Sequence, residues 1–250
     1  MGIRRRHYLA FLSLMLLCLI AYTPLQGSAD LVWSETFDEL NPEVWTTLLS
    51  CKVEDGALRG IQSEAPHHIS AVRASRVSNT SVGTWKFELT DMRTWDEELD
   101  VCKVFFMSPG NPLYDEYYAL SINHAGGQEG ERYVYTIEKY LVGSPFVILA
   151  SHVGETKTTT VGLLQRFAIT RTADGLMSVY LNSSLILSVV DTDINETTIF
   201  GYYTWDDWAF DNVYVYDSIE VGGQIQTLLI GVAVLGLVAI IAVVIVRRRQ

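Results

Sequence analysis

The stretch Leu164-Gln165-Arg166-Phe167-Ala168-Ile169-Thr170-Arg171-Thr172-Ala173-Asp174-Gly175-Leu176-Met177-Ser178-Val179-Tyr180-Leu181-Asn182-Ser183-Ser184-Leu185-Ile186-Leu187-Ser188-Val189-Val190 decides the fold class. Three short runs, Arg166 to Thr172, Met177 to Leu181 and Leu185 to Val190, are rich in β-branched and aromatic residues and are separated only by turn residues. That pattern predicts consecutive antiparallel strands, and Asp174-Gly175 marks the first hairpin because Asp-Gly accepts the positive φ of a tight turn.

Working outward, the same period-two texture recurs in Thr84 to Leu89, Val101 to Met107, Tyr117 to Asn123, Tyr133 to Tyr140, Phe146 to His152, Thr198 to Thr204 and Asn212 to Tyr216. Helical spacing is almost absent between residues 30 and 221. Short strands at regular intervals predict an all-β antiparallel sandwich of the jelly-roll kind.

The two ends read differently. Arg4-Arg5-Arg6-His7, an apolar run from Tyr8 to Tyr22 and the small residues Gly27-Ser28-Ala29 have the layout of a secretory signal peptide, residues 1–29. An uncleaved signal anchor is the alternative. Near the carboxyl end, Ile225 to Val246 carries no charge and is followed by Arg247-Arg248-Arg249. At about 1.5 Å per residue this segment spans the roughly 30 Å hydrocarbon layer, and the arginines mark the cytoplasmic side. A GPI signal competes with that reading, but the polar spacer is nearly missing. The expected organisation is therefore a signal at 1–29, an extracellular sandwich at 30–221, a short stalk and transmembrane helix at 222–246 and a cytoplasmic tail at 247–250.

Between the two apolar segments, residues 30–224 hold 12 basic and all 29 acidic residues, a net charge of −17. Such a surface excludes nucleic acid and anionic lipid head groups as partners. Cys18 falls in the signal, which leaves Cys51 and Cys102 in an oxidising compartment, and a disulfide between them is expected. Asn79, Asn182 and Asn195 each open an N-x-S/T glycosylation sequon.

Certain residues resemble a known family. Phe37-Asp38, Trp45 and Val53-Glu54-Asp55-Gly56-Ala57-Leu58 look like the first strands of concanavalin A-like lectin/glucanase domains, Leu164 to Val190 resembles a laminin-G-like strand pair, and Ala209 to Tyr216 resembles the last strand. Asn182-Ser183-Ser184 stands where members of the group often carry Asn-Gly. The resemblance implies a structural calcium with Asp38 and Asp211 as ligands, whose hard oxygens suit that ion. Some relatives are glycoside hydrolases with a catalytic strand like Glu-x-Asp-x-x-Glu, or a form one residue shorter. Here Glu98-Leu99-Asp100-Val101 is followed by Cys102 and Lys103, so neither place for the acid/base holds a carboxylate, and retaining hydrolysis needs two. His67, His68, His124 and His152 have no nucleophile or metal partner visible in sequence, and no catalytic residue is assigned.

The strongest candidate site is Tyr203, Trp205, Asp206, Asp207 and Trp208, just before the last strand. Aromatic faces and adjacent carboxylates suit carbohydrate or protein recognition, provided at least one indole is exposed. A second aromatic group, Tyr114, Tyr117 and Tyr118 with Asp115 and Glu116, leads into another strand. The expected function is a cell-surface module that binds an extracellular glycan or protein. The alternatives are a membrane-tethered glycoside hydrolase with a nonstandard acid/base and a structural envelope protein.

Overall fold

The computed structural model describes residues 29–49, 51–60, 72–92, 101–110, 115–125, 131–157, 160–204 and 208–219. These residues form fifteen strands and no helix, arranged as two antiparallel sheets packed face to face. The eight-stranded sheet runs β13 (Ser184–Val190), β12 (Leu176–Leu181), β11 (Leu164–Arg171), β6 (Gly83–Asp91), β15 (Trp208–Tyr216), β4 (Ala57–Gly60) and β3 (Cys51–Glu54), with β1 (Leu31–Glu35) paired to the far half of β15. The seven-stranded sheet runs β10 (Val147–Val153), β9 (Arg132–Tyr140), β8 (Tyr117–Ala125), β7 (Val101–Ser108), β14 (Ile199–Thr204), β5 (Val72–Val77) and β2 (Thr46–Leu49).

Alternation in sequence becomes two-sidedness in space. Along β6, Trp85, Phe87 and Leu89 enter the core while Lys86, Glu88 and Thr90 face out, as a pleated strand requires. In β15 the buried residues are Trp208, Phe210, Val213 and Val215, and the odd step from 210 to 213 would turn Val213 outward in a regular strand. A bulge between Asp211 and Tyr214, with Asn212 at φ 50°, absorbs the extra residue. Between the sheets the aromatic rings interlock, and Tyr202 stacks on Phe210 with centroids 4.6 Å apart and planes 3° from parallel.

Every strand expected from periodicity is present, with ends that coincide or are shifted by up to four residues. The turn at Asp174-Gly175 is a four-residue loop in which only Gly175 takes a positive φ, 84°, and a Cβ there would lie 2.5 Å from the Asp191 carbonyl oxygen. At the next hairpin both Asn182 and Ser183 take positive φ, 49° and 71°, so Asn-Ser does the work that Asn-Gly does more easily.

No disulfide is seen between Cys51 and Cys102. Cys51 lies on edge strand β3 of one sheet and Cys102 is buried on the inner side of β7 in the other. Residues 1–28 and 220–250, which hold the expected signal and membrane helix, lie outside the described residues, and no helix among the described residues is long and apolar enough to cross a membrane.

Candidate functional site

The outward face of the seven-stranded sheet collects side chains that belong neither to the core nor to an ordinary solvated surface. Register places Phe105 beside Ala119, Lys103 beside Ser121 and Tyr203, Ala119 beside Glu138, Ser121 beside Thr136, and Tyr117 beside Tyr140. These positions alternate with Val104, Leu120, Ile122 and Ile137, which point into the core. Phe105, Ala119 and Tyr203 form their own apolar cluster, separate from the core between the sheets, with Tyr117 packed against it. The Phe105 and Tyr117 rings meet edge to face at 5.0 Å, and Tyr117 stacks on Tyr140 at 5.6 Å.

Beside this aromatic row lies a charged pair. Lys103 Nζ donates to Glu138 Oε2 at 2.6 Å, and Thr136 Oγ1 donates to the other carboxylate oxygen at 3.2 Å. The Phe146 ring centroid is 5.7 Å from the same ammonium. Burial, with Glu138 and Tyr140 nearby, pushes the Tyr117 hydroxyl up to about 12, so it stays a neutral donor at any physiological pH. Phe105, Tyr203, Thr136 and Glu138 are buried within this row, whereas Tyr117, Tyr140 and Lys103 are half-buried, so it is these tyrosine faces and the Lys103 ammonium that a polyhydroxylated ring can reach by stacking and hydrogen bonding.

The structure splits the residues singled out in sequence. Tyr203 belongs to the outward cluster, with 8% of its surface exposed. Trp208 is fully buried at 0%, its ring 5.5 Å from Tyr133, and its carbonyl accepts the Tyr202 hydroxyl at 3.1 Å. It is therefore a core residue and not a recognition platform. Trp205, Asp206 and Asp207 lie outside the described residues, as do Tyr114, Glu98, Asp100, His67 and His68. Tyr117 and Tyr118, adjacent in sequence, go to opposite faces: Tyr118 is buried, donating to Asp191 and accepting from the Ile194 amide at 3.1 Å.

The two places where a hydrolase would carry its acid/base are also separated by the pleat. Cys102 faces the core, and Lys103 faces outward in its bond to Glu138. His124 lies 3.7 Å from Glu131 in a polar chain at one end of the sandwich, in which Thr160 bonds to Glu131 at 2.8 Å and Tyr133 to Asp91 at 2.7 Å. His152 stacks on Tyr135 at 6.1 Å.

Of the calcium candidates, Asp38 is exposed and accepts from Thr36 at 3.3 Å, while half-buried Asp211 accepts from the Asn212 amide at 2.6 Å. Burial raises the Asp211 titration, and the charges of Glu88, Asp38 and Glu35 add to the effect against the opposing Asn212 hydrogen bond. Asp211 also borders a groove of about 240 Å³ on the outer face of the eight-stranded sheet, with Glu54, Arg59 and Glu88. Among the described residues no group of three His, Cys, Asp or Glu side chains converges to hold a metal. Asn79, Asn182 and Asn195 are all exposed and lie in connections between strands.

Sequence reasoning missed Phe105, Glu138 and Tyr140 as site residues. Their signal was present as outward positions in β7 and β9, but each run has two faces, and only strand pairing shows which faces coincide.

No family model matches the chain, and no curated protein sequence does. Among solved structures it is similar to the carbohydrate binding module CBM66 from Bacillus subtilis, at 15% identity and a TM-score of 0.50, over 68% of this chain and 92% of that one. It is similar to the laminarinase catalytic domain from Thermotoga maritima at 11% identity and a TM-score of 0.55, over 78% and 100% of the respective chains. The Emp47p carbohydrate recognition domain is similar at 13% identity and a TM-score of 0.55, over 77% and 99%. At these identities the likeness concerns the fold, which is that of concanavalin A-like lectins and glucanases.

Proposed function

We propose that the chain is a cell-surface module that binds glycan on the outward face of its seven-stranded sheet, with residues 1–29 as secretory signal, 30–221 as extracellular sandwich, 222–246 as stalk and membrane helix and 247–250 as cytoplasmic tail. The observation that carries the reading is the row Phe105, Tyr117, Tyr140 and Tyr203 beside the Lys103–Glu138 pair, a second aromatic cluster outside the core. Two of the similar structures are a carbohydrate binding module and a carbohydrate recognition domain, which supports the same class of ligand. Binding is favoured over hydrolysis because Cys102 is in the core and Lys103 is engaged by Glu138, so neither place supplies the proton that glycosidic cleavage requires.

The test truncates the chain after Gly222 and screens the product on a glycan array with and without calcium. The truncated protein should be secreted and should bind at least one glycan class, and Tyr140→Ala should weaken that binding by roughly 1–3 kcal/mol, as for a hot-spot aromatic. Retention in the membrane would overturn the topology. Binding unchanged by Tyr140→Ala and Tyr117→Ala would overturn the site.

A further inference from the structure

Along one side of the sandwich two edge strands lie together. β10 closes the seven-stranded sheet, β13 closes the eight-stranded one, and the two are in contact across the sandwich. Each has seven residues, Val-Ile-Leu-Ala-Ser-His-Val and Ser-Leu-Ile-Leu-Ser-Val-Val, with no Asp, Glu, Lys, Arg or Pro in either. Natural edge strands are normally short, charged, covered or interrupted by proline, because an open edge pairs with other chains. The opposite side of the sandwich shows that guard: β2 and β3 have four residues each, and β3 carries Lys52 and Glu54. On the unguarded side Ile148, Val153, Leu185 and Val190 are 52%, 53%, 56% and 62% exposed.

The geometry points to this side as an interface between two copies of the chain, in which β10 of each copy pairs with β13 of the other across a two-fold axis parallel to the strands. Such an axis exchanges the upper and lower sheets and leaves strand direction unchanged, so β10 meets the second copy's β13. β14 ends at Thr204 and β15 begins at Trp208, with Tyr202 stacked on Phe210, so these two strands run in opposite directions in the two sheets; the successive antiparallel pairings within each sheet then make β10 and β13 antiparallel within one copy, and both new contacts are antiparallel. Both form at once, the same patch serving each copy, as a closed isologous dimer requires.

The apolar side chains fit this arrangement. Ile148 and Val153 are five residues apart and would point to opposite faces of a regular strand, but a bulge between Ile148 and Ala150 returns both to the outward face. Leu185 and Val190 have the same spacing, and a bulge beside Leu185 returns them likewise. An antiparallel register that sets Val153 against Leu185 of the second copy thus also sets Ile148 against Val190, on one face.

Charge and chain exit favour a second copy as the occupant. Between the apolar ends the chain carries −17, so two copies repel over most of their surface, and this uncharged strip is where they can approach. The chain enters and leaves the sandwich at one end, where the Asp217 amide donates to the Asp30 carbonyl at 3.2 Å. An axis parallel to the strands keeps both exits on one side, so the Ile225–Val246 segments of both copies can enter a single membrane. Pairing β10 with β10 of the second copy about an axis normal to the sheets would send them in opposite directions.

The experiment uses the full chain in mild detergent and reads mass by light scattering as a function of dilution, with thermal melting as the folding control. The wild-type chain should be a dimer. Ile148→Lys and Val190→Glu should each raise the dissociation constant by about tenfold per contact, about a hundredfold over the two symmetric contacts, because a charge is buried against an apolar partner. An equimolar mixture of the two variants should recover dimer, since one of its contacts joins opposite charges and the other is wild type. Val153→Lys mixed with Leu185→Glu repeats the test should either first variant melt early. A monomeric wild type, a dimer broken by Ile148→Lys but indifferent to Val190→Glu, or a mixture that stays monomeric would each overturn the interface.

Discussion

Replacing Lys103 with methionine isolates the electrostatics of the candidate site. The Lys103 side chain is 21% exposed and that of Glu138 only 5%, with 2.6 Å between their charged atoms. Removing the ammonium leaves a carboxylate that water scarcely reaches, supported among the described residues by the 3.2 Å bond from Thr136 Oγ1. Stranding one member of such a pair costs roughly 3–5 kcal/mol, and the remaining Thr136 donor places this case near about 3 kcal/mol. In a domain of this size each kcal/mol moves the melting temperature by about 2–4 °C, so Lys103→Met should lower it by roughly 6–12 °C. Removing both charges together, as Lys103→Met with Glu138→Leu, should recover most of that loss, since a buried ion pair often contributes little more than an apolar pair of similar volume. Urea unfolding monitored by tryptophan fluorescence measures both quantities as a double-mutant cycle. A Lys103→Met loss below about 1 kcal/mol would refute the reasoning, because that is the value of an exposed, water-screened pair.

Two further substitutions probe the other residues. Trp208→Ala should cost about 3–5 kcal/mol of stability by leaving a cavity beside Tyr133, whereas an exposed platform tryptophan would leave the melting temperature nearly unchanged. Asp211 has a folded-state titration raised above its ordinary value, so its protonated form is favoured in the folded protein. Its stabilising contribution is present below the unfolded carboxylate range and is lost as pH rises through the raised value. Asp211→Asn should therefore raise the melting temperature at pH 7, with the gain fading as pH falls toward about 4, and a variant less stable than wild type at every pH would contradict this.

Local order was readable in the sequence because its causes are local. A pleated strand with one buried side needs alternation, and β6 shows it from Trp85 to Asp91. The Asp174-Gly175 turn, the acidic charge and the two apolar ends are likewise properties of neighbouring residues or of composition. The short strands β2, β3 and β4, with four residues each, offer too few alternations to establish a period, and the resemblance to other domains touched only β3 and β4, through Val53 to Leu58.

Which face each alternating run presents was decided by the tertiary structure. Tyr203 and Trp208 are five residues apart and looked like one site, yet Tyr203 joins an outward cluster and Trp208 the core, because β14 and β15 belong to different sheets. Lys103 and Glu138 are separated by 35 residues and meet only because β8 lies between β7 and β9 in register. The sequence by itself determined that the chain would make strands, where most of them would run, and that its surface would be acidic. Sheet order and bulges then determined which side chains share a surface, because a shift of one residue in a strand exchanges its two faces while leaving the local pattern of alternation unchanged.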